Sequence, residues 1–268
     1  MPPPARDFER EIAVQATDIL SIQLYTLRSL NDLDAVLDTV TSAGYRFVEG
    51  VGSHLDDADT VKANTDARGL RFSSSHVSLA ALRERPQAII DACKLLEFRH
   101  LFMPSVPPGQ RDADAAFWRA LGSELGQMSR RFADAGIQLG YHNHSWELKP
   151  KDGPVTALEL LFAEAEGTPL TWQADVAWLI RGSAEPATWL RRYRDRLVSV
   201  HVKDVAPEGT ALDEDGWADV GAGVVDWTSL WRLCRDQGAH WMVVEHDKPS
   251  DPARCANASF AFLRNMEP

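Results

Sequence analysis

The chain has 268 residues, 44% of them apolar, and a formal net charge of −11. This apolar fraction excludes a mainly disordered chain, and no apolar run reaches the roughly 18 residues that a membrane-spanning helix needs. The 28 basic residues are outnumbered by 39 acidic ones, which argues against a nucleic-acid partner because such proteins need a basic surface.

Residues 1–17 open with Met-Pro-Pro-Pro and are rich in charged residues. We expect them to form a flexible tail ahead of a single catalytic domain at residues 18–268. The three cysteines, Cys93, Cys234 and Cys255, are too few and too scattered for a disulfide framework. A reducing cytoplasm is therefore the expected location.

Short β-rich segments alternate with helical segments along the rest of the chain. The predicted strands are residues 21–25, 45–50, 71–76, 100–104, 137–144, 170–176, 197–204 and 241–247. The predicted helices are residues 32–44, 60–69, 86–97, 112–136, 155–167, 186–195, 226–238 and 253–266. Strict alternation of eight strands and eight helices predicts an α/β protein with a closed (β/α)8 TIM barrel. The competing fold is an open doubly wound sheet, which typically has a glycine-rich turn after its first strand. This sequence has no such turn there.

The predicted strands have one apolar and one polar face, because side chains alternate along a strand. In the seventh strand Val198, Val200 and Val202 share one face, whereas Ser199, His201 and Lys203 share the other. The apolar faces are expected to pack against the helices. The polar faces then point into the barrel, and their last members meet at its C-terminal rim, where barrel enzymes have their active sites.

Four rim residues are candidate metal ligands: His142, Asp175, His201 and Glu245. Each ends a different strand, from the fifth to the eighth, and each lies on the predicted inward face. Two imidazoles and two carboxylates can surround one divalent cation and leave positions for substrate oxygens. Each residue alone could equally be a hydrogen-bonded rim residue, but four at similar depth indicate a metal site.

Several segments together resemble the sugar phosphate isomerase/epimerase superfamily, the xylose isomerase-like TIM barrels, over residues 18–265. They are SIQLYTLR, GYRFVEG, LGYHNHSWEL, DVAWLIRG, VHVKDV, VGAGVVDW and VVEHDKPSDP. The resemblance implies a divalent metal held by Glu, Asp, His and Glu from strands five to eight. Asp175, His201 and Glu245 match the last three of these ligands.

His142 departs from this pattern, because it stands where many relatives have Glu, inside a Tyr-His-Asn-His segment that marks a subgroup. The ligand set then carries two negative charges instead of three. Imidazole also shifts the preference from Mg2+ toward Mn2+, Co2+ or Zn2+.

Other rim residues are candidates for proton transfer and for substrate binding. A base could be His144, Glu147 or Glu245, and Lys203 could stabilise an enolate. Substrate contacts are predicted for Gln23, Tyr25, Glu49, His76 and Trp178. Each of these residues also has an ordinary structural interpretation, as a paired rim charge or as packing.

We expect an isomerase or epimerase acting on a sugar or cyclitol carbonyl compound through an enediolate that the metal stabilises. A lyase or dehydratase of an oxidised sugar or cyclitol shares the first proton abstraction and is the alternative. A catalytically silent sugar-binding barrel is less favoured, and an abasic-site endonuclease conflicts with the acidic charge. The expected partner is a small molecule, with no nucleic acid and no membrane, and a homo-oligomer is left open.

Overall fold

A closed barrel of eight parallel strands forms the centre of the protein in a computed structural model that describes residues 15–267. The strands are β1 (Leu20–Gln23), β2 (Phe47–Gly50), β3 (Arg71–His76), β4 (His100–Met103), β5 (Gln138–His142), β6 (Thr171–Asp175), β7 (Leu197–Val202) and β8 (Trp241–Val244). The barrel closes where β1 pairs with β8, with Leu20 beside Met242. The predicted (β/α)8 barrel is confirmed.

Helices follow the strands and surround the barrel. They are α1 (Leu33–Ala43), α2 (Gly52–Asp56), α3 (Ala58–Ala67), α4 (Leu79–Glu84), α5 (Pro86–Leu95), α6 (Ala115–Asp134), α7 (Ala157–Glu164), α8 (Val176–Arg181), α9 (Pro186–Arg192), α10 (Trp227–Asp236) and α11 (Pro252–Leu263). The eight predicted helices are present, and the short helices α2, α4 and α8 are additional. These three have at most six residues each, too few for a helical period to be recognised in the sequence.

Side-chain caps fix where several helices begin. Asp114 accepts a hydrogen bond from the Phe117 N–H at the start of α6, and Thr156 forms a capping box with Glu159 at the start of α7. These bonds satisfy backbone N–H groups that have no partner within the helix. Such caps keep the strand-to-helix turns at the barrel rim in a defined conformation.

The inward strand faces are polar, as the alternation predicted. Ser21 and Ser73 share a hydrogen bond of 2.8 Å across the barrel, whereas Val200 and Val202 belong to the hydrophobic core. Gly140 occupies an inward position on β5, where a Cβ atom would lie 2.7 Å from the Phe102 ring. The glycine therefore leaves room for Phe102 inside the barrel.

A small hairpin after β7 covers one side of the rim. Asp204–Val205 pairs antiparallel with Trp217–Ala218. The Asp204 carboxylate accepts hydrogen bonds from the N–H groups of Gly221, Gly223 and Val225. This carboxylate anchors the loop of the VGAGVVDW segment and holds Trp217 over the rim.

The predicted N-terminal tail covers residues 1–17, of which residues 1–14 lie outside the described part of the chain. Ala16–Asp18 form a single turn of 3-10 helix before β1. Between residues 15 and 267, none of the helices is long and apolar enough to cross a membrane.

Candidate metal centre

The four predicted ligands meet at the C-terminal rim of the barrel. His142 and Asp175 are the last residues of β5 and β6, His201 lies near the end of β7, and Glu245 directly follows β8. One ligand atom from each residue lies within 4.8 Å of the others, and all four side chains are at least nine-tenths buried. The structure therefore brings these residues to a common point.

Asp175 presents one carboxylate oxygen to this cluster and uses the other to start a helix. Its Oδ1 accepts a hydrogen bond of 2.9 Å from the Trp178 N–H at the beginning of α8. Its Oδ2 is buried without a hydrogen bond from the described residues and lies 3.8 Å from His142 Nε2. Burial raises the pKa of Asp175 to about 6.

The tautomer of His142 follows from its contact with Gln173. His142 Nδ1 lies 3.0 Å from Gln173 Oε1, and a carbonyl oxygen can only accept, so Nδ1 carries the proton. The Gln173 amide is oriented by its Nε2, which donates to Glu49 Oε2 at 2.6 Å. The lone pair of His142 Nε2 therefore faces Asp175 and is free to bind a metal.

His201 lies between two carboxylates. Its Nε2 is 2.6 Å from Glu49 Oε1, and its Nδ1 is 2.8 Å from Glu245 Oε2. Burial disfavours a charge on this imidazole, but Glu49 and Glu245 outweigh burial and raise its pKa to about 10. Since Glu49 holds Nε2, the atom of His201 that faces the other candidate ligands is Nδ1.

Lys203 shares its neighbours with the candidate ligands. Its Nζ lies 3.1 Å from Asp175 Oδ2, 2.8 Å from Glu245 Oε2 and 3.0 Å from Asp247 Oδ2. Burial alone would raise the pKa of Glu245, but Lys203 and His201 hold it well below its usual value.

The carboxylates around this cluster outnumber the cations. Among residues 15–267, Glu49, Asp175, Glu245 and Asp247 lie within 4.0 Å of one lysine, Lys203, and otherwise of imidazoles, which are charged only when protonated. A divalent cation would compensate this excess of negative charge.

The donor set suits a divalent metal. In a tetrahedral site with bonds of about 2.1 Å, neighbouring donor atoms are separated by roughly 3.4 Å. The measured separations bracket this value: 2.8 Å between His201 Nδ1 and Glu245 Oε2, and 3.9 Å between His201 Nδ1 and Asp175 Oδ2. Asp175 Oδ2 is buried beside the Lys203 ammonium at 3.1 Å, and a bound cation would add a second positive charge next to it.

Glu49 and Gln23 lie beneath the cluster and do not line the cavity, although the sequence predicted that they contact substrate. Both are fully buried, and Gln23 Nε2 donates to Glu49 Oε1 at 2.8 Å. Burial would raise the pKa of Glu49, but the charges of His76 and His201 lower it to about 2. The position of Glu49 suits a residue that orients His201.

His144 and Glu147 lie to one side of the ligand cluster. The His144 ring stacks on Trp146 with centroids 4.1 Å apart, and its Nδ1 is buried without a hydrogen bond from the described residues. Burial and the Lys203 charge hold the pKa of His144 well below its usual value. Glu147 is fully buried and accepts hydrogen bonds from the Tyr141 hydroxyl and the His144 backbone N–H.

A cavity of about 820 Å³ opens above the cluster. Of the residues predicted from sequence, it is lined by Tyr25, His76, His142, His144, Trp178 and Glu245. Sequence analysis did not single out Trp217, Arg111 or Arg181, which also line it. They come from a loop, from a two-residue strand and from the end of a short helix, where no periodicity marks an inward side chain.

The chain matches one protein family and is similar in sequence to several characterised proteins. The sequence profile of the family described as "Xylose isomerase-like TIM barrel" matches residues 37–266. The chain is 24% identical to inosose dehydratase of Lacticaseibacillus casei, over 85% of this chain and 86% of the relative. It is 26% identical to the rhizopine catabolism protein MocC of Rhizobium meliloti, over 86% of this chain and 79% of that protein.

A solved structure shares the whole fold. The crystal structure of a sugar phosphate isomerase/epimerase from Parabacteroides distasonis superposes with a TM-score of 0.75. The two proteins are 22% identical, and the match covers 98% of each chain. At this level of identity the likeness concerns the barrel and its connections.

Proposed function

The chain belongs to the xylose isomerase-like TIM-barrel family, and from this premise we propose that it is a divalent-metal-dependent enzyme that removes a proton beside the carbonyl of a sugar or cyclitol. One observation carries the proposal. His144, an imidazole held neutral, lines the cavity and lies beside His142, with ring centroids 5.0 Å apart. A free base next to a candidate metal centre is the arrangement that this chemistry requires.

The metal would be held by His142 Nε2, Asp175 Oδ2, His201 Nδ1 and Glu245 Oε2. A divalent cation there supplies Lewis-acid chemistry, since it polarises a carbonyl oxygen and stabilises the negative charge that develops on it. Two imidazoles among the donors favour Mn2+, Co2+ or Zn2+ over Mg2+.

His144 is the base in this proposal. Stacking on Trp146 fixes the plane of its ring, and Glu147 holds its backbone N–H at 2.8 Å. The depressed pKa keeps the imidazole unprotonated at neutral pH, so that it can accept a proton. Lys203 and His201 stabilise the charged form of Glu245, which weakens this carboxylate as a base.

The reaction that we favour is dehydration. His144 takes the proton from the carbon beside the carbonyl, the C–H electron pair forms the C=C bond, and the hydroxyl on the next carbon leaves. The protonated His144 returns the proton to that hydroxyl, which departs as water, so one group balances the reaction. Similarity to a protein named inosose dehydratase supports this outcome and a keto-cyclitol as the substrate class.

Isomerisation is the second candidate, because one base can also move a proton between adjacent carbons on one face of the substrate. Epimerisation is less favoured by the geometry. It needs groups on both faces, and the strand-five position that holds a carboxylate in many relatives is His142 here, with its Nδ1 bound to Gln173.

The test is proton exchange in D2O with a panel of ketones: scyllo-inosose, D-fructose, D-fructose 6-phosphate and 5-keto-D-gluconate. We expect metal-dependent entry of deuterium beside the carbonyl of at least one of these compounds, followed by NMR. Mass spectrometry then separates dehydration, which removes one water, from isomerisation, which leaves the mass unchanged.

His144→Asn is the critical variant. We expect exchange to slow by a factor of about 10²–10⁴, the usual contribution of a general base, while metal content stays the same. His240→Asn is the matched control, because His240 is exposed at the opposite end of the barrel. Exchange at the normal rate in His144→Asn, or exchange without metal in the wild type, would refute the proposal.

A further inference from the structure

Arg111 lies on the wall of the cavity, on the segment between β4 and α6. Its guanidinium carbon is 3.8 Å from the centroid of the Trp146 ring, and the His144 ring stacks on the same indole at 4.1 Å. Two groups this close to one ring must lie on its opposite faces. The indole therefore separates the proposed base from a fixed cation.

The Arg111 guanidinium stacks on Trp146 but has no hydrogen-bond or ion-pair partner in the described chain. Within residues 15–267 it makes no hydrogen bond and no ion pair, and its Nε is buried without an acceptor. Arg85 lines the same cavity but is paired with Asp56 at 2.5 Å. The half-buried guanidinium thus has no carboxylate within 4.0 Å among residues 15–267, in a protein of net charge −11.

One other donor beside the cavity also lacks an acceptor. The indole nitrogen of Trp178 is buried without a hydrogen bond from residues 15–267. An arginine side chain can only donate hydrogen bonds, so a ligand bound by Arg111 contributes acceptor oxygens.

A second guanidinium adds positive charge to the wall. Arg181 stacks on Trp217, 3.1 Å from the ring centroid, and donates to the Asp215 carbonyl oxygen. Like Arg111, it has no carboxylate partner within 4.0 Å among the residues that the structure describes. The cavity thus has an acidic cluster on one side and guanidinium groups on the other.

We propose that Arg111 binds an anionic oxygen group of the substrate, so that the enzyme acts on an acidic or phosphorylated sugar or cyclitol. The guanidinium offers parallel N–H groups that match a carboxylate or a phosphate. Trp146 holds its plane in advance, which reduces the entropy lost on binding. This inference rests on the proposed function, because it places the carbonyl of the same ligand at the metal centre.

Calorimetric titration of the Mn2+-loaded protein tests the inference without turnover. The ligands are D-fructose 6-phosphate, 5-keto-D-gluconate and the neutral D-fructose. We expect at least one of the anionic ligands to bind about tenfold more tightly than D-fructose or better, as a charge-assisted hydrogen bond gives. Preference for the phosphate would indicate a phosphorylated substrate, and preference for the carboxylate would indicate a sugar acid.

Arg111→Gln should abolish this preference and leave Mn2+ affinity unchanged. Arg83→Gln is the control, because it removes the same charge from a residue bound to Glu124 on the outer surface. Equal binding of D-fructose and both anions by the wild type, or an intact preference in Arg111→Gln, would overturn the inference. If the inference fails but the protein still binds metal and still catalyses deuterium exchange, the proposed function is unaffected. If metal binding and exchange are absent as well, the result counts against the proposed function itself.

Discussion

Replacing His142 by Glu tests the feature that most distinguishes this ligand set. The substitution puts a carboxylate where His142 now presents Nε2 to Asp175 Oδ2 at 3.8 Å. Without metal, two buried negative charges then face each other at about that distance. With metal, the additional carboxylate becomes a hard ligand that suits Mg2+.

The size of the effect follows from the distance. Two unit charges 3.8 Å apart repel each other by about 4 kcal/mol at an effective dielectric constant of about 20. For a chain of this length, about 1 kcal/mol corresponds to roughly 2–4 °C in melting temperature. Metal-free His142→Glu should therefore melt about 10 °C below the metal-free wild type.

Thermal unfolding at pH 8 measures both effects, first in EDTA and then with saturating Mg2+, Mn2+ or Zn2+. We expect Mg2+ to raise the melting temperature of His142→Glu more than that of the wild type, and Mn2+ or Zn2+ to stabilise the wild type more than Mg2+ does. His240→Glu adds the same charge at the exposed, opposite end of the barrel and should change neither quantity. Equal metal-free stability and an unchanged order of metals would show that His142 is not a ligand.

Two further predictions concern pH. Burial raises the pKa of Glu147 to about 7 from an ordinary value of 4.5, so the folded state binds this proton more tightly than the unfolded state. The stabilisation from this proton is complete below pH 4.5 and is lost by pH 7, which lowers the free energy of unfolding by about 3 kcal/mol. In urea unfolding, the free energy of unfolding should therefore fall less between pH 4.5 and 7 for Glu147→Gln than for the wild type. The same fall in both proteins would contradict this prediction. Imidazole ligands must be neutral to bind a metal, and Glu49 and Glu245 raise the pKa of His201 to about 10. Metal binding should therefore weaken steadily as the pH falls below about 10, measured by metal analysis after dialysis. Occupancy that stays complete down to pH 4 would contradict the ligand assignment.

The barrel could be predicted because its signal is local and repeated. Each strand has two faces of different polarity, and each helix follows its strand at a similar spacing, so alternation alone indicated eight units. The helix α8 was missed for a physical reason: it has six residues, and its start depends on the cap from Asp175, a residue that the sequence indicated only as a ligand.

The sequence predicted which side chains point into the barrel, but not how far below the rim each of them lies. Strand parity predicted which face His142 lies on, but parity does not tell how far below the rim a side chain such as Glu49 ends. Glu49 pairs in register with Gln23 and lies under the cluster, where it contacts His201 instead of the cavity. Arg111 and Trp217 could not be found in this way, because their positions depend on loop conformations that no periodicity encodes.

One chain of hydrogen bonds beneath the cluster connects both candidate histidine ligands. Gln173 accepts from His142 and donates to Glu49, which in turn contacts His201 Nε2. Removing this amide in Gln173→Leu leaves His142 Nδ1 without its acceptor and Glu49 with one donor fewer. Both histidines should then lose part of their fixed orientation, although Gln173 touches only His142 directly.

We expect Gln173→Leu to weaken metal binding about 10–100-fold, as substitutions behind a metal ligand do. Nitrogen-15 NMR of the imidazoles in the metal-free protein should show the His142 tautomer becoming mixed, a change that a general loss of stability would not produce. Gln138→Leu is the control, since this exposed glutamine begins the same strand as His142. If metal affinity and the His142 signals stayed as in the wild type, then the direct ligands alone would orient the site, and the polar layer beneath them would serve only to fill the barrel.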